Sequence, residues 1–245
     1  MKSNAKILLV AVSLLGLVSC SDSNTSTTED SSATTSVVSE STTTVAESDT
    51  TYGVTPIPPS ALSGTLAGIP AVSSLSATDR DALIWMREEE KVAHDVYVTL
   101  AQTWGANVFT NISAAEQTHT DAVKILLDRY SIADPVKDTT VGTFENKVFG
   151  DLYTALVKQG SISLAEAYTV GAIIEDLDIK DLQDRKTTTP DIALVFDNLE
   201  KGSRNHMRAF IRQLDRFGVT YTPTYISQEE FDEIISGNVE SGIQA

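Results

Sequence analysis

Three observations predict an all-α fold for this chain of 245 residues, a four-helix bundle with a long crossover between its second and third helices and an unstructured arm in front. Apolar residues recur at alternating three- and four-residue steps in four long stretches, the period of a helix that buries one face. Acids and histidines stand on the same seams: Glu90 in the first stretch, Glu116 and His119 in the second, Glu175 with Asp178 in the third, and Ser203 with His206 in the fourth. Before residue 76 that period is absent, and Ser, Thr, Pro and Gly dominate.

The elements follow in order. Residues 1–20 read as a secretory segment: Lys2 and Lys6 make a positive start, the run from Ile7 to Val18 is too short to span a bilayer comfortably, and Leu17-Val18-Ser19-Cys20 follows. This resembles a bacterial lipoprotein signal, whose cysteine becomes the lipidated first residue. That resemblance implies an exported protein held on the periplasmic or cell-surface side of a membrane. An ordinary cleaved signal, with Cys20 incidental, is the other reading. Cys20 is the sole cysteine, which excludes a disulfide framework, an iron-sulfur cluster and a thiolate zinc site, so a bound metal must have oxygen and nitrogen ligands.

Residues 21–75 read as a disordered tether. Nineteen of the 31 residues from 21 to 51 are Ser or Thr, and no Lys or Arg occurs between Lys6 and Arg80. Such a stretch buries too little apolar surface to offset its ordering entropy. Pro56, Pro58, Pro59 and Pro70, among Gly53, Gly64 and Gly68, extend the character to about residue 75, and folded structure is expected from Ser76 to residue 245.

The first long helix is expected over about Thr78 to Thr103, with Leu83, Met86, Glu90, Ala93, Tyr97, Leu100 and Trp104 on its seam and Glu88 and Glu89 solvated. After a break at Gly105 and Asn107, the second runs from about Asn111 to Tyr130, its seam being Phe109, Ile112, Glu116, His119, Val123, Leu126 and Tyr130. A short helix is expected near Phe149 to Lys158. The third long helix spans about Ser163 to Lys186, with Ser163 as N-cap and Leu164, Tyr168, Gly171, Glu175, Asp178 and Leu182 aligned. The fourth starts at Pro190 or Asp191 and ends at Phe217 before Gly218, its seam being Ile192, Phe196, Leu199, Ser203, His206, Phe210 and Phe217. The tail adds a short outer helix over Gln228 to Ile235.

Short links make helices one and two, and helices three and four, antiparallel pairs. The connection of about thirty residues between the second and third makes those two parallel, which is the ferritin-like arrangement. The formal charge is −16, and losing Lys2 and Lys6 takes it to −18. So acidic a surface repels phosphate backbones and concentrates cations, which argues against a nucleic-acid partner; a charge excess alone reads as a solvated surface, and metal ions as partners rest on the seam residues.

Burying these ionisable groups costs on the order of several kcal/mol per charge unless a cation or a complete hydrogen-bond network compensates. Glu116-Gln117-Thr118-His119 puts two donors one turn apart on one face. A metal-free polar core is the alternative. His94 reads as a rim residue facing Asp or water rather than a ligand. Tyr97 and Tyr168 read as core packing, with a hydrogen-bonding or redox role as the lesser reading, and Trp85 and Trp104 as packing.

From Leu83 to Phe217 the chain resembles ferritin-like proteins related to rubrerythrins and bacterioferritins. The runs Glu90-Lys91-Val92-Ala93-His94-Asp95-Val96-Tyr97 and Gly202-Ser203-Arg204-Asn205-His206-Met207-Arg208-Ala209-Phe210 more closely resemble the family called domain of unknown function 2202. The wider resemblance implies a terminal Glu90, a bridging Glu116 with ligand His119, a bridging Glu175, and a Glu-x-x-His on the last helix. There the chain departs, since Ser203 replaces the glutamate and His206 alone remains. Asp178 has two readings, a ligand that supplies the missing charge or an acceptor for the ring N–H of a ligating histidine. A third is that the site holds one metal or none.

Oxygen and imidazole ligands suit two iron ions per chain, with manganese or zinc as alternatives. The resulting expectation is a non-haem di-iron or di-manganese oxidoreductase acting on peroxide, dioxygen or Fe(II), of ferroxidase or peroxidase type. With no four-cysteine rubredoxin module, turnover requires an external electron donor. A membrane-tethered structural or metal-binding bundle without redox turnover is the alternative class, and the sequence leaves the oligomeric state open, a homodimer included.

Overall fold

The structure, a computed structural model, describes residues 56–243. The secretory segment, Cys20 and the Ser/Thr-rich stretch lie outside the described residues. Among these, seven helices and no strands occur: α1 (Pro59–Ala67), α2 (Ala77–Trp104), α3 (Asn107–Arg129), α4 (Lys147–Gly160), α5 (Leu164–Asp184), α6 (Pro190–Arg216) and α7 (Gln228–Ser236). The fold is all-α, and no described helix is long and apolar enough to cross a membrane.

Local sequence sets the helix ends. Ser76, Ser163 and Ser227 accept hydrogen bonds from the backbone N–H groups of Asp79, Glu166 and Glu230, each three residues on. Pro190 begins α6, where its missing N–H costs nothing. Gly105 closes α2 in the left-handed region at φ 65°, a conformation that favours glycine, and α3 starts two residues later, four before the expected Asn111.

Four long helices position the site. Arg87 meets Thr120 and Tyr97 meets Phe109, so α3 runs back along α2. By the same test α6 opposes α5, with Ser203 on Asp178 and the Phe210 ring over Gly171. It also opposes α3, with His206 on Glu116 and Asp191 on Tyr130. Since α6 is antiparallel to both, α3 and α5 share a direction, and the crossover between them carries α4 against α2 and α5.

The core is split in two. One apolar cluster holds Val96, Leu100, Phe109, Ile112, Phe149 and Phe210, and the other holds Leu83, Met86, Val123, Leu126, Leu182 and Leu199. Between them each long helix contributes buried polar residues to a single layer.

Three expectations are corrected. Ordered structure begins before Ser76: Pro59 starts a helix whose Leu62 and Leu66 are fully buried against α3, and the Ile57 N–H donates to Thr118 Oγ1 at 2.8 Å. Glu88 and Glu89 are buried rather than solvated, because the segment before α4 and the acids of α5 cover those faces of α2. Phe217, expected on the core seam, is 50% exposed at the end of α6, edge-on to Tyr168.

Candidate metal centre

Each long helix delivers its share of the polar layer from a mid-helix position. Glu90 comes from α2, Glu116 and His119 from α3, Glu175 and Asp178 from α5, and Ser203 and His206 from α6; all are buried, none more than 7% exposed. The Glu116 carboxylate lies at the centre. Its Oε2 is 2.7 Å from His119 Nδ1 and its Oε1 is 2.8 Å from His206 Nδ1, so each oxygen addresses a different ring. Glu90 Oε2 stands 3.6 Å from the His119 nitrogen, and Glu175 Oε2 stands 3.6 Å from that of His206. The imidazoles stack with centroids 5.4 Å apart. The result is two half-sites, each with one imidazole nitrogen, one terminal carboxylate and one oxygen of the shared Glu116. Glu175, expected as a second bridge, lies beside His206 with its other oxygen hydrogen-bonded by Tyr97.

Neighbouring groups hold these side chains. The Tyr97 hydroxyl donates to Glu175 Oε1 while its ring packs on Phe109 and Phe210. Tyr97 therefore combines packing with a hydrogen bond to the site. The Ser203 hydroxyl donates to Asp178, so Asp178 meets the residue in the missing glutamate's place rather than a histidine N–H. Gly202, which sequence reasoning missed, is a cradle: a Cβ there would lie 2.5 Å from His119 Cε1. Its signal in the sequence is a lone glycine inside a long helix, a residue disfavoured there unless something packs against it.

The electrostatics are those of a site balanced by protons. Burial pushes the Glu116 carboxyl up, but the cationic rings of His206 and His119 outweigh it and hold it below the usual carboxylate range. Burial lowers His206, yet Glu116 and Glu175 raise it to about 9, and His119 is likewise held well above the usual value by Glu116 and Glu90. Burial raises Glu90 to about 7, and raises Glu175 and Asp178 as well.

The donor set fits a cation. One atom each from Glu116, His119 and His206 fall within 4.8 Å of one another, a spacing that a single metal ion spans. Glu90 Oε1 and Asp178 Oδ1 are buried acceptors with no hydrogen-bond partner among the described residues, and a divalent ion satisfies such atoms at no cost in donors.

Other candidates lie elsewhere. His94 Nδ1 is 2.9 Å from Asp95 Oδ1, in a group with Lys91 and the Gly142 N–H. Tyr168 stacks on Phe109. Trp104 Nε1 donates to Gly160 O, and Trp85 Nε1 donates to Asp181 beneath the Arg185 guanidinium, so both indoles hydrogen-bond as well as pack.

Residues 79–238 match the family described as "Uncharacterized protein domain (DUF2202)". The chain is 53% identical over 171 residues to "Uncharacterized protein MJ0754" of Methanocaldococcus jannaschii, a match covering 69% of this chain and 92% of that protein. A crystal structure titled for hypothetical protein MJ0754 from Methanococcus jannaschii superposes with TM-score 0.69 at 52% identity, covering 70% of this chain and 99% of that one.

Proposed function

The chain belongs to the uncharacterized domain family DUF2202, and for this member we propose a ferritin-like, metal-binding bundle acting as a non-haem di-iron or di-manganese oxidoreductase on peroxide, dioxygen or Fe(II). One observation carries the reading: Glu116 turns its two oxygens to two histidine nitrogens at 2.7 and 2.8 Å, with a further carboxylate behind each. A structural core needs no such two-fold division of donors. A pair of cations sharing a bridging carboxylate does. The shared direction of α3 and α5 supports the ferritin-like part.

Glu90, Glu116 and His119 would hold one ion, and Glu116, Glu175 and His206 the other. Two such ions would supply paired one-electron steps toward peroxide or dioxygen. The chain's own residues do the rest: the terminal glutamates offset charge, Tyr97 fixes the orientation of Glu175, and the two apolar clusters exclude water. With Asp178 ionised, four carboxylates match the four positive charges of two divalent ions. The absence of thiols in the folded region leaves reduction to an external electron donor.

An anaerobic Fe(II) titration of the chain, alone and with Glu116→Ala, tests the reading. Two irons per chain, lost on substitution and oxidised by peroxide faster than free iron, are expected; absence of stoichiometric binding overturns it. Stoichiometric binding without faster oxidation would favour the second reading, a metal-binding bundle without redox turnover, for which Ser203 in place of a ligand is the motivating feature.

Lipidated Cys20 would hold the exported chain on a membrane. Cys20→Ser should move the protein from the membrane fraction of its host to the soluble one, and unchanged fractionation removes the anchor from the proposal.

A further inference from the structure

Half a turn round α6 from Ser203 and His206 lies a second set of buried polar residues, which the metal centre does not use. Lys201, Arg204, Asn205 and Arg208 follow the spacing of one helix face. Lys201 and Asn205 are 2% exposed and Arg208 5%. What covers them is the segment after α7.

Glu240 is the point of attachment. Arg204 grips its carboxylate with a two-point fork, Nε to Oε1 at 2.8 Å and a terminal nitrogen to Oε2 at 2.6 Å, and Arg208 reaches Oε1 at 3.2 Å. The Asn205 amide pairs with both backbone groups of the same residue, donating to Glu240 O at 2.9 Å and accepting from Glu240 N–H at 3.0 Å. Lys201 donates to Gly242 O. These contacts read a carboxylate side chain and the backbone around it together.

The segment is otherwise loosely held. Asn238, Val239, Ser241 and Gly242 are exposed, Val239 at 47%, whereas α7 before it buries Phe231 and Ile234. No apolar residue from 238 to 242 is buried to anchor the segment. On release Arg204 keeps Glu200 at 3.2 Å, but Arg208 is left with the neutral oxygens of Asn205 and Ile234. An incoming carboxylate restores the charge-assisted pair that these neutral oxygens cannot supply.

We propose that this face of α6 is a binding site for an acidic peptide, and that residues 238–243 are its resident, detachable ligand. The same segment of another chain fits it in trans. A free phosphate would satisfy the arginines but not the backbone pairing at Asn205, so a peptide is the better ligand.

The test uses the full chain and a labelled peptide of residues 238–243, followed by fluorescence anisotropy. The Glu240→Gln chain is expected to bind the peptide at least about tenfold more tightly than the unmodified chain does. A peptide carrying Glu240→Gln should not bind, and adding Arg208→Ala to the Glu240→Gln chain should remove the gain. In the unmodified chain, excess peptide should speed hydrogen exchange at the Glu240 amide by displacing the resident segment, a readout that needs no variant. Equal binding of both peptides, no gain in the Glu240→Gln chain, unchanged exchange, or displacement by inorganic phosphate at equal affinity would each overturn the proposal.

Discussion

Glu116 faces two imidazole nitrogens, whose protons balance its carboxylate and would give way to two cations under the proposed function. In the metal-free chain its oxygens face two protonated imidazoles, with His206 raised to about 9. Ligation through both Nδ1 atoms at pH 7 must therefore expel at least two protons per site, with more from the raised carboxyls of Glu90 and Asp178. Calorimetric binding enthalpies should follow the ionisation enthalpy of the buffer with a slope of at least about two, and affinity should rise with pH up to about 9. A slope near zero would remove the histidines from the ligand set. The same protons affect stability. A histidine raised on folding stabilises fully below its unfolded value of about 6.5, and that contribution is lost as pH climbs through about 9. Metal-free melting temperatures should fall over that window, and divalent metal should reverse the fall. Gly202 gives a second prediction. Gly202→Ala favours the helix by about 1 kcal/mol but drives a methyl into the His119 ring. Metal affinity should drop at least about tenfold while melting changes little, as titration and a thermal scan would show. Undiminished affinity would mean that the ring does not depend on the cradle. Helical spacing alone is enough to put Glu116 and His119 on one face. It cannot reveal Gly202, whose role is defined by a side chain on another helix.

At the scale of elements, legibility follows length. The four long helices repeat their apolar period many times, and three of them, α2, α5 and α6, start at a serine cap or a proline. Nine-residue α1 offers only Leu62 and Leu66, four apart, amid Ser, Thr and Gly, so its amphipathic face exists only in relation to α3. Arg129 reinforces the docking by donating to the carbonyl oxygens of Leu66 and Ile69. Leu62→Ala leaves a cavity in the contact and costs about 2–5 kcal/mol of α1 docking. Hydrogen exchange across residues 57–70 should then approach the free-peptide rate, with metal stoichiometry unchanged. Loss of stoichiometry along with α1 would show that the arm and the site share one cooperative unit. The burial of Glu88 and Glu89 is hidden from the sequence for a related reason. A single helix can show which face carries its seam, but cannot show that the Asn146 N–H covers Glu88 or that Asp181 approaches Glu89 from α5. The outer face of α6 is equally hidden, since nothing in the helix itself shows that Glu240 sits on Arg204 and Arg208 or that Gly242 O meets Lys201.

For the whole molecule, loop lengths are enough to set the relative directions of the long helices, because links of two and five residues impose reversal and the long crossover permits a return. What they cannot set is the division of the core, in which two apolar clusters seal a charged layer from both sides. That division has a kinetic consequence when joined to the net charge of −16. The surface field concentrates cations outside, whereas the proposed ligands inside are at most 7% exposed and little screened by salt. Raising ionic strength from about 0.01 M to about 0.15 M shortens the screening length from about 30 Å to about 8 Å. Metal association should therefore slow several-fold over that range in stopped-flow mixing, while dissociation into excess chelator stays constant. If dissociation changed as steeply as association, the ligands would have to be in contact with solvent, and the sealed layer would not describe the working protein.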